Sequence, residues 1–161
     1  MTDLDASGTE LAQQKIRTRH ALLEQKSLPN LARAISHALG ASSAWHRDLF
    51  ARFGPIAETD VFEDQVLMFR ARMIGSVSYV EERLLRYRRD IGLSFQKKDD
   101  QLGQYRRHLA ILRQRRLDCL AVLPDRKDIL KSIDRKYKRR EGQMSQLLAG
   151  NAVTDPDADD A

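Results

Sequence analysis

Residues 62–123 read FEDQVLMFRARMIGSVSYVEERLLRYRRDIGLSFQKKDDQLGQYRRHLAILRQRRLDCLAVL, and the spacing of their apolar members decides the fold class. Phe62, Val66, Phe69, Met73, Val77, Val80, Leu84, Tyr87, Ile91 and Phe95 are followed by Lys98, Leu102, Tyr105, Leu109, Leu112, Arg116, Cys119 and Leu123. Each member stands three or four residues from the next. That rhythm keeps one stripe of a helix facing a partner, with an extra four-residue step at Met73–Val77 and again at Ile91–Phe95. Only Lys98 and Arg116 carry charge among these positions. Gly75, Gly92 and Gly103 oppose the pattern, each costing about 1 kcal/mol in a helix interior relative to Ala. The stretch predicts an all-α fold, an elongated coiled-coil hairpin or rod. Helical without a break from Asp60 to Leu123, it would extend about 95 Å at 1.5 Å per residue.

Outward from this seam the chain divides by its breakers. Residues 1–8 are expected to lack structure. Residues 9–55 read as short helices: a first through about Gln25, a second from Pro29 or Asn30 ended by Gly40, and a third capped by Ser42 or Ser43. The third carries Trp45, Leu49, Phe50 and Phe53 and is stopped by Gly54-Pro55. Its aromatic face suits a small head cluster packed on its neighbours better than a membrane surface, because its polar face is not strongly basic. Asp60 and Glu63 resemble a capping box for the long helix. Residues 56–150 form the coiled-coil section, with boundaries near 92–99 and at Pro124, either of which would reverse the chain. Residues 151–161 form an acidic tail without an expected fold.

Charge is distributed unevenly. The chain has 161 residues and a net charge of +5, yet residues 83–140 alone carry nineteen basic and seven acidic groups. Residues 62–82 are near neutral and suited to pack on the short N-terminal helices, which leaves 83–140 as the exposed working section. Arginine dominates there, and its planar fork fits carboxylates and phosphates alike. The candidate partner-binding residues are Arg83, Arg86, Arg89, Arg106, Arg107, Arg113, Arg115, Arg116, Arg135 and Arg139. In the final helix, Lys131, Arg135, Lys136, Lys138, Arg139 and Arg140 nearly encircle the rod.

Catalytic chemistry is not apparent. No GxGxxG or GxxxxGK[ST] loop occurs, and the four histidines show no metal-ligand spacing. Glu81-Glu82 and Asp99-Asp100 are sequence neighbours and so point to different helix faces. A thin rod also lacks the concave, water-excluding pocket that catalysis uses. The expectation is a protein that is not an enzyme and needs no cofactor and no metal. The single cysteine, Cys119, cannot form an intramolecular disulfide and fits a reducing, cytoplasmic setting. The polar N-terminus lacks the apolar core of a cleaved signal, and no run of about 18 apolar residues predicts a transmembrane segment.

Arg115-Arg116-Leu117 and the run Asp125–Leu148, with Tyr137 between two charged clusters and a Leu-rich end, resemble the closing helix of the FliJ/YscO-like proteins of type III secretion. The resemblance covers about residues 84–148. It implies a small, basic, cytoplasmic coiled-coil hairpin acting as a stalk in the ring of a hexameric export ATPase and cycling secretion chaperones. The broken N-terminal third departs from that family's single long helix. Two other readings use the same features. In one the arginines meet nucleic-acid phosphate, in a phage or plasmid structural coiled coil, although they interleave with the seam rather than precede it. In the other the seam pairs with a second copy, making a self-assembling scaffold.

Overall fold

A computed structural model describes residues 2–5, 7–10, 26–35, 40–78, 80, 82, 84–88 and 101–150. The fold is all-α. Among the described residues five α-helices carry it: α1 (Leu28–Arg33), α2 (Arg47–Phe53), α3 (Glu63–Ile74), α4 (Gln101–Val122) and α5 (Lys127–Leu148). Two three-residue strands, β1 (Thr2–Leu4) and β2 (Arg86–Arg88), pair in parallel, with Thr2 opposite Arg86. No helix among the described residues is long and apolar enough to cross a membrane.

The reversal at Pro124 is present, and α4 and α5 form a hairpin across it. The Leu123 amide donates to the Cys119 carbonyl (2.8 Å) and the Arg126 amide to the Leu123 carbonyl (3.1 Å), which closes the turn. Each arm has 22 residues, so the hairpin is about 33 Å long rather than a 95 Å rod.

The rod is shortened because α3 stops at Ile74. Gly75 follows in extended backbone, and none of the described residues from 75 to 88 is helical. The run Gly-Ser-Val-Ser-Tyr-Val combines residues that favour extended or turn conformations over helix, a local preference stronger than the heptad spacing. Val80 and Leu84, seam positions by spacing, are 55% and 68% exposed. The stretch 92–99, the other expected boundary, lies outside the described residues, as do residues 11–25 of the expected first helix.

Where the seam persists, it is buried within the chain. Leu31, Ala32, Met68, Phe69, Met73, Leu112, Cys119, Ile129 and Ile133 form one core, with Trp45, Phe53, Val77 and Tyr137 packed at its edge. The section around α3 does pack on the short helices α1 and α2, as its neutral, aromatic composition predicts. The core occupies the seam positions Phe69, Met73, Leu112 and Cys119. They are therefore not available for pairing with a second copy.

Other boundaries differ for identifiable reasons. α1 ends at Arg33, well before Gly40, because a guanidinium from α4 takes the carbonyls the next turn would have used (below). Asp60 does not cap α3; Phe62 stands at the N-cap, and the Asp60 carboxylate is turned to Arg107. His46, rather than Ser42 or Ser43, caps α2, through its Nδ1 to the Asp48 amide. Gly54 does end α2, in the left-handed region at φ +67°, where glycine is the least strained residue. Thr2–Leu4, expected to lack structure, is held by β2 and by a 2.8 Å bond from the Thr2 amide to the Leu85 carbonyl.

Candidate partner interface on the last helix

The basic residues separate into those the fold consumes and those it leaves. Arg115 belongs to the first group, which corrects its placement on the surface. It is 1% exposed. Its Nη1 donates to the carbonyls of Leu31 (3.2 Å), Ala32 (3.0 Å) and Ala34, and its Nη2 to that of Gln65 (2.9 Å). The guanidinium thus replaces the next turn of α1 and joins α1, α3 and α4, with its plane near the Phe69 ring. Burial pushes its pKa down to about 9, a shift that the nearby Asp118 charge opposes. Charged arginine at the core was legible only as a one-residue register error: the heptad spacing assigns Arg116 to the seam, and the helix buries Arg115.

Arg70 is the second buried arginine. Its Nε and Nη2 grip Asp118 at 2.7 and 2.8 Å, and its Nη1 reaches the Gly54 carbonyl at 2.9 Å. Gln114 completes the set, donating to Asp118 (2.9 Å) and accepting from the amides of Ala57 (2.8 Å) and Glu58 (3.1 Å).

The segment 54–62 lies along α4 and consumes more of the predicted site. Arg113 forms a two-bond pair with Glu58, both at 2.8 Å, and Arg107 meets Asp60 at 3.1 Å while covering the Phe62 ring. The Arg113 bond holds the Glu58 carboxyl below its ordinary range. Arg106 is exposed beside them, on a groove of about 300 Å³ lined also by Thr59, Leu109, Ala110 and Met144. Arg116 is bonded to Asp134 at 2.9 Å. Arg86 is exposed on β2, whereas Arg83 and Arg89 lie outside the described residues.

Besides Arg86 and Arg106, the fold leaves an aligned set of cations on α5. Ile129, Ile133, Arg140 and Gln143 are buried, and Arg140 lies over the Tyr105 ring, so the basic residues do not encircle the helix. Lys127, Lys131, Arg135 and Lys138 are exposed, at 4-4-3 spacing on the opposite side. At 100° per residue they fall within about 80° of the circumference, and they span about 16 Å of its length. Among the described residues no hydrogen bond or ion pair engages any of the four head groups. The carboxylates flanking this stripe are already occupied, Asp134 by Arg116 and Asp128 by Arg126 through two 2.9 Å bonds. Glu141 is the remaining exposed acid on α5. Arg139 is half-buried and lies to one side of the stripe.

Of the expected site residues, the structure brings only Arg135 into this stripe, and three lysines join it. Their signal was in the sequence as the same three- and four-residue spacing that marks apolar faces, applied to charge instead. The chain matches no family model, and it matches neither a curated protein nor a solved structure.

Proposed function

We propose that the chain is a non-catalytic helical adaptor that docks an acidic protein surface through Lys127, Lys131, Arg135 and Lys138. One observation carries this reading: the fold commits Arg107, Arg113, Arg115 and Arg116 of α4 to its own carboxylates and carbonyls, yet leaves four cations aligned along one face of α5. Charges so aligned steer an oppositely charged partner and set its orientation. The non-catalytic part is supported by the groove beside α4, where Glu58 and Asp60 are both held by arginine. The likeness to FliJ/YscO-like proteins adds a candidate partner, the ring of a hexameric export ATPase, and a cytoplasmic setting. The short hairpin weighs against a role as a long stalk and favours docking by one face.

The test is fluorescence anisotropy with a labelled polyglutamate peptide and, separately, a labelled DNA duplex, titrated against salt. The wild-type chain is expected to bind polyglutamate at low salt. The variant Lys127→Glu, Lys131→Glu, Arg135→Glu and Lys138→Glu should lose at least about tenfold in affinity while keeping its helical circular dichroism. Tighter binding to the duplex, with a steep salt dependence, transfers the stripe to nucleic-acid phosphate instead. Absence of polyglutamate binding at low salt sinks the adaptor reading.

A further inference from the structure

Resting on that reading of the stripe, we infer that residues 151–161 of the same chain are an intramolecular competitor for it. Asp155, Asp157, Asp159 and Asp160 give this segment four negative charges and no positive one. The segment lies outside the described residues; its composition, its point of departure and its reach carry the inference. It leaves α5 just beyond Leu148 through Gly150, whose φ of +75° turns the backbone out of the helical path. Lys138 lies about 15 Å back along the helix from Leu148, and Lys127 about 32 Å. An extended chain covers up to about 17 Å from Gly150 to Asp155 and about 34 Å to Asp160. The aspartates therefore reach the stripe from Lys138 to at least Lys131, passing Glu141, whose charge keeps them off the last turn.

The chemistry sets the strength. Each exposed carboxylate–ammonium pair is weak, but a short tether holds the aspartates at roughly millimolar effective concentration. The outcome is competition rather than permanent closure. A partner displaces the segment only when it presents a denser or better-placed array of carboxylates, so the segment filters out weakly acidic proteins. Salt screens both interactions.

The test compares the full chain with the variant Asp155→Asn, Asp157→Asn, Asp159→Asn and Asp160→Asn, which preserves length. Two measurements are made on each: anisotropy with labelled polyglutamate, and backbone amide shifts over Lys127–Leu148. The neutralised variant is expected to bind polyglutamate about threefold to tenfold tighter at low salt, with the difference gone near 0.5 M salt. The amides around Lys131, Arg135 and Lys138 should shift between the two proteins. Equal affinities with unchanged shifts overturn the competitor, while the stripe reading still stands if the charge-reversed α5 variant loses polyglutamate. If neither protein binds polyglutamate, the shifts decide alone: movement along the stripe upholds the intramolecular contact, and none overturns it.

Discussion

Arg115 shows how one side chain can set the length of an element distant in sequence. The carbonyls of Leu31 and Ala32 would serve amides four residues on if α1 continued; the guanidinium takes them instead. Its fork geometry is needed, because one ammonium cannot serve four carbonyls from two helices. Replacing Arg115 with Met leaves the Leu31 carbonyl only its 3.2 Å bond from the Ala34 amide, takes the guanidinium from the other acceptors, and is expected to cost about 3 kcal/mol. Arg115→Lys should recover only part of that loss. Urea unfolding followed by circular dichroism measures both, and an unmoved midpoint for Arg115→Met would show that the bonds carry no net stability. The same burial makes Arg115 unsuitable for testing a partner surface, since its reversal disrupts the core first.

At the scale of elements, the segment 54–62 is fixed to α4 largely by charge. Glu58 has a folded pKa below its ordinary 4.5, because Arg113 bonds its ionised form. A depressed folded pKa means the contribution is complete above about pH 4.5 and is lost as the pH falls through the folded value. The pair is partly exposed, so after screening it is worth less than about 1 kcal/mol. Stability of the wild-type chain should therefore exceed that of Glu58→Gln at neutral pH, with the gap narrowing as the solution is acidified below pH 4.5. A gap constant with pH assigns the difference to something other than this pair. What was legible at this scale was punctuation: Gly54 and Pro124 end elements where backbone chemistry says they must. What was not legible was the competition between a heptad pattern and a Gly-Ser-Val-Ser run. There the apolar spacing continues across residues that will not hold a helix.

At the scale of the molecule, the apolar spacing did identify the core, since Val66, Phe69, Met73, Tyr105, Leu109, Leu112 and Cys119 are all buried. It could not say which surface they face, because a heptad seam serves an intramolecular partner as well as a second copy. Here the partners are α1, α3 and α5 of the same chain. Sedimentation velocity is accordingly expected to give a monomer at concentrations where a two-stranded coiled coil would be dimeric. A dimer dissolved by substituting Phe69 or Leu112 would contradict this arrangement. The candidate site was legible in sign and only in part in place. Net charge marked the right half of the chain, but charge alone does not distinguish arginines that meet their own carboxylates from those left over. That distinction depends on where Glu58, Asp60, Asp118 and Asp134 come to lie in three dimensions.

The bonds from Arg115 to α1 close loops of more than eighty residues, and the Ser132 hydroxyl reaches the Pro29 carbonyl across an even longer interval. During synthesis, then, the first third of the chain emerges long before the groups that will hold it. Until α4 and α5 have left the ribosome, Leu31, Phe69 and Met73 have only one side of their core to pack against. Contacts this distant along the chain slow folding, since loop-closure entropy is lost before any of them forms. The interval between the emergence of α1 and that of Ser132 is when a nascent chain of this design depends most on protection from aggregation.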